Sequence, residues 1–477
     1  MQSVAPRWAP RVSHAFPDRT TMRRNRIEDQ MSRVNETELN LGALSRILSP
    51  SLVGEVLAAA GKTAKRVRKL TPELVAWLVV AMGVFRGLSI TSVLAQVAGT
   101  FGAAVRWGAA ELPHATTIAE ARDRLGWEVV RTIFSRLAAG LSEKYEPKAL
   151  WLGLVVRALD GTTFLAPDSQ ENDRAFGRPG TSRGGAKSGF PQLRAVFVLG
   201  VFTHLVTQVV FAPYRDHSEL KTAETLAAGL ERGTLLLMDR LYYSFAWLAS
   251  LASREVLVLV RAKTGRKTLK PKTTRRLADG SVLAKLPVPP ALKRKHPSLL
   301  EAIEVRVIKY HAKGYRPMTL VTTLLSPEAY PAADIGALYH GRWEIELGCR
   351  EIKTHQVGTR VTFRSKTPDR VLQEAYGLFV AYNCVRGLMA EAAALKGIEP
   401  RRLSFVACLQ RIRAAVIAFD GTDPNAAYER LLTSLAHCVL PARREGRRCP
   451  RAVKVKMSNW PRKRPGSKTV ATTRSTR

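Results

Sequence analysis

Acidic residues are the scarce class in this 477-residue chain: 39 Asp plus Glu stand against 75 Lys plus Arg, a formal net charge of +36. That balance favours a polyanionic partner, either nucleic acid or an anionic membrane surface. Long apolar runs are missing too. The longest uninterrupted one, residues 74–85, is too short to span a bilayer. The stretch 195–212 is broken by Thr203, His204, Thr207 and Gln208 and reads as two buried strands. Nucleic acid is therefore the expected partner, and no membrane is expected. Cysteine is sparse, with five residues: Cys349, Cys384, Cys408, Cys438 and Cys449. The number is odd and no pair forms C-x₂-C, which excludes a disulfide framework or a zinc finger. His437, Cys438 and Cys449 likewise lack zinc-ligand spacing. A reducing cytoplasm is the natural compartment. No secretory signal is visible, because the Arg-rich first thirty or so residues have no apolar core segment. They read as a disordered basic arm, or as an over-long start preceding Met22 or Met31.

What is present is globular: 46% of the residues are hydrophobic. After the basic arm at 1–37, residues 38–145 have helical texture and form a DNA-binding or accessory domain. Thr71-Pro72-Glu73 supplies a capping hydroxyl, a first-turn proline and an acid. Thr117 and Glu120 have capping-box spacing and open another helix through Arg122, Arg124 and Leu125. From 150 the texture changes to short runs rich in Val, Leu and Phe at 152–159, 194–202, 205–213, 234–239 and 255–262, which are strand signals. A helical pattern lies at 217–230. Strand, hairpin, helix, strand, helix, strand makes an α/β sheet of mixed direction flanked by helices. Residues 150–262 and 326–398 are the expected core. Between them, 263–325 is a β-rich insertion with strand-like Ala302–Tyr310 and 317–324. Helical patterns return at 331–354 and 369–396, and C-terminal helices occupy 399–440. Residues 441–477 form a basic tail that is disordered when alone.

Two carboxylates carry the first chemical signal. Asp160 ends the run Val155-Val156-Arg157-Ala158-Leu159, and Asp239 ends Leu235-Leu236-Leu237-Met238. In open α/β sheets, ligands gather at the carboxyl ends of strands. An Asp after a strand usually just caps the next turn, but two in one small sheet weaken that reading. A third signal is the segment 339–353, read as one helix. At about 100° per residue, Tyr339, Arg342, Glu346 and Lys353 share one narrow stripe, whereas Glu344 and Glu351 fall well away. A solvated charged face is the ordinary explanation of such a stripe, yet it would not need Tyr339 and Trp343 beside it. Three carboxylates with nearby Arg and Lys suit Mg²⁺-assisted phosphodiester chemistry. Hard oxygen donors hold the ions, and the cationic side chains hold phosphates. Trp343 could stack on a displaced base or be buried against the sheet.

Together these motifs resemble the DDE transposases of the bacterial insertion-sequence-4 family. The family's Tyr-x₂-Arg-x₃-Glu-x₆-Lys signature is present without departure as Tyr339, Arg342, Glu346 and Lys353. The likeness takes in Asp160-Gly161-Thr162, Asn172, Phe176-Gly177 and Pro191-Gln192-Leu193-Arg194. It continues through Asp239-Arg240-Leu241-Tyr242-Tyr243-Ser244, where Leu241 replaces a small residue and puts the local turn in question. The helical segment Ala121-Arg122-Asp123-Arg124-Leu125-Gly126 and the tail segment Pro450-Arg451-Ala452-Val453-Lys454 are similar as well, so the likeness spans about residues 40 to 465. The resemblance implies a ribonuclease-H-like core with Asp160, Asp239 and Glu346 as catalytic, metal-binding residues for Mg²⁺, with Mn²⁺ as a substitute. It implies DNA contacts by Tyr339, Arg342 and Lys353, joined by Arg240, Trp343 and Arg350. It also implies double-stranded inverted-repeat ends and target DNA as partners, a homodimer in the synaptic complex, and a cytoplasmic, nucleoid-associated location. Gly180 to Ser188 resembles a P-loop, but Ala186 separates Gly185 from Lys187 and a strand follows, so no nucleotide cofactor is expected. Two other functions compete: a stand-alone nuclease of the same fold, and a non-catalytic DNA-binding regulator. The accessory regions weigh against the first. The acids facing a polyanion weigh against the second.

Overall fold

Thr71, Pro72 and Glu73 open a helix as their types require. Thr71 Oγ1 accepts the Leu74 N–H at 3.2 Å, and the proline sits in the first turn, where its missing N–H costs nothing. The computed structural model describes residues 42–63, 69–98, 112–180, 188–215, 217–265, 268–311, 317–356, 362–418 and 423–441. The expected basic arm, most of the glycine-rich segment at 180–188 and the basic tail lie outside the described residues.

The N-terminal helices are α1 (Pro50–Ala59), α2 (Pro72–Val84), α3 (Ile90–Ala98), α4 (Ala115–Leu125) and α5 (Trp127–Tyr145). The start of α4 differs from expectation. His114, not Thr117, caps it: the imidazole accepts the Thr116 N–H, so the helix begins earlier and Thr117 lies inside it. Helix α2 is apolar all round because it is buried all round. It crosses the long helix 368–395 at a glycine pair. A Cβ on Gly83 would fall 2.6 Å from the Gly377 carbonyl oxygen, and one on Gly377 would fall 2.6 Å from Val79 Cγ1. One continuous apolar core therefore runs from the N-terminal helices through that long helix to one face of the sheet. A buried ion cluster ties the same elements. Glu374 on the long helix takes Arg86 at 2.7 Å, Arg364 at 3.5 Å and Arg122 at 3.9 Å.

The sheet has nine strands in the order β3-β2-β1-β4-β5-β9-β8-β7-β6. They are β1 (Val156–Leu165), β2 (Gln192–Gly200), β3 (Val206–Pro213), β4 (Leu235–Met238), β5 (Leu257–Arg261), β6 (Lys272–Arg276), β7 (Val282–Pro287), β8 (Ala302–Tyr310) and β9 (Met318–Thr322). Strands β1 to β3 are antiparallel neighbours, while β1, β4 and β5 run parallel. The order 3-2-1-4-5 with these directions is the ribonuclease-H-like arrangement. Strand β4 is a four-residue apolar run because both its faces are covered. Leu235 and Leu237 enter the core shared with the N-terminal helices, and Leu236 and Met238 enter a second core with Trp247 and Val258. The insertion's strands do not stand apart, since β9 pairs with β5 and continues the same sheet.

The remaining helices are α6 (Gln170–Phe176), α7 (Glu219–Glu224), α8 (Phe245–Ala252), α9 (Pro290–Lys295), α10 (Ala332–His340), α11 (Trp343–Arg350), α12 (Pro368–Leu395), α13 (Phe405–Ala418) and α14 (Pro424–Ala436). By length and apolarity α12 could cross a membrane, but 83% of its most apolar window is buried inside the fold. It is the central core helix.

Candidate active site

Strand β1 does not end at Asp160. Its antiparallel pairing with β2 continues to Leu165 opposite Gln192, while its parallel pairing with β4 stops at Leu159 opposite Met238. The parallel register is what matters here. Asp160 and Asp239 each follow that last matched pair, so both stand at the same step, one residue past the parallel register. Asp160 Oδ1 accepts the Gly161 N–H at 2.8 Å. Asp239 Oδ1 accepts the Leu241 N–H at 2.6 Å and caps the short 3₁₀ turn Arg240–Tyr242, which forms with Leu241 pointing outward. Burial, aided by the charges of Glu219 and Asp239 and opposed by the Gly161 N–H and Arg342, pushes Asp160 up to about 6.

The segment 339–353 is not one α-helix. Helix α10 stops at His340. Gly341, Arg342, Glu344 and Ile345 then bond three residues back, to Leu338, Tyr339, Gly341 and Arg342, before α11 takes over. Residues Glu351–Gln356 widen into a π-helical turn. The single stripe expected from a uniform 3.6-residue period is thus broken, yet three of its members still meet near the strand ends. Arg342 Nη2 donates to Glu346 Oε1 at 3.0 Å, and its charge acts on Asp160. Lys353 Nζ reaches Thr162 Oγ1 on β1 at 3.4 Å. Tyr339 does something different from the expected phosphate contact. It is buried, and its hydroxyl donates to the Met238 carbonyl at 3.1 Å. The thiol of Cys349 is pushed up by its burial, aided by the charges of Asp160 and Glu346.

Trp343 is exposed and belongs to neither apolar core. Arg240 is exposed beside Asp239. Arg350 faces a cavity on the other side of α11, shared with Glu344, Glu351, Arg386 and Arg401. On that side Glu344 and Glu351, which fall away from the stripe as expected, are held by partners of their own. Glu344 Oε2 meets His204 Nε2 at 2.9 Å. Glu351 pairs with Arg386 and accepts the Tyr382 hydroxyl at 2.9 Å. Arg386 and His204 together hold Glu351 down to about 2 against the opposing effect of its burial. Sequence patterning missed His204, Arg386 and Glu219. His204 and Arg386 sit in apolar runs, and Ser218-Glu219 looks like an ordinary helix start.

Chemically, the edge offers carboxylate oxygens, a guanidinium, an ammonium and a hydroxyl, a set that fits a hard divalent cation and phosphate. Among the described residues, no three His, Cys, Asp or Glu side chains converge tightly enough to hold an ion. Glu346 is turned onto Arg342.

Residues 151–384 match the family described as Transposase DDE domain, and residues 38–135 match Insertion element 4 transposase N-terminal. Transposase InsG for insertion sequence element IS4, from Escherichia coli (strain K12), is 33% identical over 451 residues, spanning 93% of this chain and 98% of its own. Putative transposase InsZ of the same organism is 30% identical over 129 residues, 27% of this chain and 42% of its own. Among solved structures, the piggyBac transposase synaptic complex with hairpin DNA aligns over 85% of this chain and 86% of that one, at 8% identity and a TM-score of 0.39. The class is therefore that of the DDE transposases, enzymes of DNA cleavage and strand transfer. Within it, the chain belongs to the family of the insertion sequence IS4 transposases.

Proposed function

We propose that Asp160, Asp239 and Glu346 are the metal-holding carboxylates of this transposase, with Mg²⁺ as the cation and Mn²⁺ as a working substitute. The DNA is that of the element's own inverted-repeat ends and of the target, and two copies of the chain act together in the synaptic complex. The compartment is the bacterial cytoplasm, at the nucleoid. The observation that carries the reading is the shared register: Asp160 and Asp239 stand at the same step, one residue past the last matched pair of β1 and β4, and Arg342, whose charge acts on Asp160, is paired with Glu346.

Divalent cations in such a site stabilise the attacking and leaving oxygens of an in-line displacement at phosphorus. The chain's own residues do the rest. Asp160 and Asp239 orient hard oxygens at the sheet edge. Glu346 exchanges its Arg342 partner for the site, which leaves that guanidinium available to a phosphate. Lys353, over Thr162, neutralises a neighbouring phosphate. Arg240, Arg350 and the exposed Trp343 meet flanking DNA. Tyr339 positions the β4 end instead of touching DNA. The test is Asp160→Asn on DNA carrying the inverted repeats. Cleavage and strand transfer should disappear while band-shift binding persists. Undiminished cleavage, in that variant or in excess chelator, would refute the assignment.

A further inference from the structure

We infer that Glu219 is a fourth carboxylate of this edge, a positioning residue that orients the water shell of the cation held by Asp160 and Asp239. The inference rests on the metal-site reading above. Glu219 opens α7, directly after β3, and its side chain crosses back over β1. A Cβ on Gly161 would fall 2.3 Å from the Glu219 carboxyl carbon and 2.6 Å from Oε2. The residue after Asp160 must therefore be glycine for this carboxylate to lie there. On its other side, Glu219 Oε1 accepts the hydroxyl of Tyr242 at 2.9 Å. Tyr242 is buried and belongs to the turn that Asp239 caps. One side chain thus joins the two Asp-bearing segments.

An ordinary structural ion pair does not account for this arrangement. The cation beside Glu219 is Arg194, and its contact is long, 3.5 Å. That guanidinium is stacked on Tyr214 at 4.8 Å, and its buried Nε has no partner among the described residues. Three acids, Asp160, Asp239 and Glu219, gather at one edge of a chain short of acids. Of the other cations at this edge, Arg342 is already paired with Glu346, and Lys353 lies over Thr162, so with Glu346 counted the acids still outnumber the cations. Such an excess of negative charge suits a divalent cation. A carboxylate fixed by Tyr242 can accept hydrogen bonds from water on that cation, an outer position that commonly governs metal affinity.

Mn²⁺ alone, without DNA, is the probe, titrated by calorimetry or water-proton relaxation into the full-length protein. Glu219→Gln keeps the Tyr242 contact and the shape but loses the charge. Mn²⁺ affinity should fall by about tenfold or more, with thermal unfolding in chelator unchanged. Gly161→Ala keeps the charge but displaces the Glu219 carboxylate, and should weaken Mn²⁺ to a similar degree. Folded variants with wild-type Mn²⁺ affinity would overturn the inference. Asp160→Asn separates the two levels of the claim. If it too binds Mn²⁺ as wild type does, the metal site itself is misplaced and Glu219 falls with it. If Asp160→Asn alone loses binding, only the Glu219 role fails.

Discussion

Tyr339 donates its hydroxyl to the carbonyl of Met238, the residue immediately before Asp239, at 3.1 Å. The end of α10 is therefore fastened to the end of β4, and the signature tyrosine sets the depth at which Asp239 emerges. Both groups are buried, so losing the donor leaves a carbonyl unpaired. Tyr339→Phe should cost about 1 kcal/mol in urea unfolding and slow single-turnover cleavage several-fold. DNA binding should not change. A drop in DNA affinity at every salt concentration, as large as the drop in rate, would instead mean that the phenol meets a phosphate.

Asp160, Asp239 and Glu346 should behave as one unit, because removing any one of them dismantles the same site. Effects inside such a unit are strongly non-additive. Asp160→Asn should abolish cleavage, and adding Glu346→Gln should change little further. DNA binding should persist or tighten in each variant, since negative charge facing phosphate is removed. Cleavage assays and band shifts on the single and double variants check this. An additive loss would mean that the residues act separately.

The two Asp positions were legible because each closes an apolar run that had to be a buried strand, and the insertion's Ala302–Tyr310 was legible for the same reason. That Asp160 lies mid-strand was not legible. Residues 161–165 are held by pairing with β2, a partner about thirty residues on, and not by their own pattern. The break at Gly341 was hidden as well, because Tyr339 to Lys353 fits a single helical period if no turn tightens or widens. With the period shifted at both ends, Glu344 and Glu351 face His204 and Arg386, pairings across 140 and 35 positions that no local rule supplies.

Glu351 accordingly becomes a stability residue. Its unfolded carboxyl titrates near 4.5, and in the fold it is held down to about 2. A depressed carboxyl contributes stability above the unfolded value and loses it as pH falls through the folded one. The loss here runs between about pH 4.5 and pH 2 and amounts to about 3 kcal/mol. Glu351→Gln leaves Arg386 buried without its counter-ion and should cost about 3 kcal/mol or more at pH 7. It should also flatten the acid limb of the stability profile. Chemical denaturation at several pH values measures both. A variant with wild-type stability and an unchanged acid limb would refute the role.

The crossing of α2 and α12 depends on two missing side chains. Gly83→Ala would set a methyl 2.6 Å from the Gly377 carbonyl oxygen and 2.8 Å from the Ala381 methyl. Backbone cannot yield as a flexible side chain can, so the helices must part, at a cost of about 1–3 kcal/mol or more. Gly54→Ala, on α1 with open space around it, is the matched control and should be neutral or slightly stabilising. Thermal unfolding of the two variants decides the point. Equal melting temperatures would show that the two helices are not closely apposed.

The cationic residues should divide by their distance from the carboxylates. Each phosphate deprived of its cationic partner should lower the log–log salt slope of DNA binding by about 0.9. Arg240→Ala and Arg350→Ala remove exposed charges that no ion pair holds among the described residues, so affinity and slope should fall while the rate on saturating DNA stays within a few-fold. Arg342→Ala is a different loss. Its side chain is only 16% exposed, contacts Glu346 and lies in the field of Asp160. Removing it should lower affinity and also the saturated rate, because the phosphate beside the carboxylates loses its nearest guanidinium. Arg342→Lys should restore most of the salt slope but little of the rate, since an ammonium supplies charge without the planar fork. Single-turnover cleavage and salt titration on the same set of variants separate these outcomes. If Arg342→Ala altered the slope alone, the residue would be one more backbone contact. The link from Asp160 through Arg342 to Glu346 would then carry no catalytic weight.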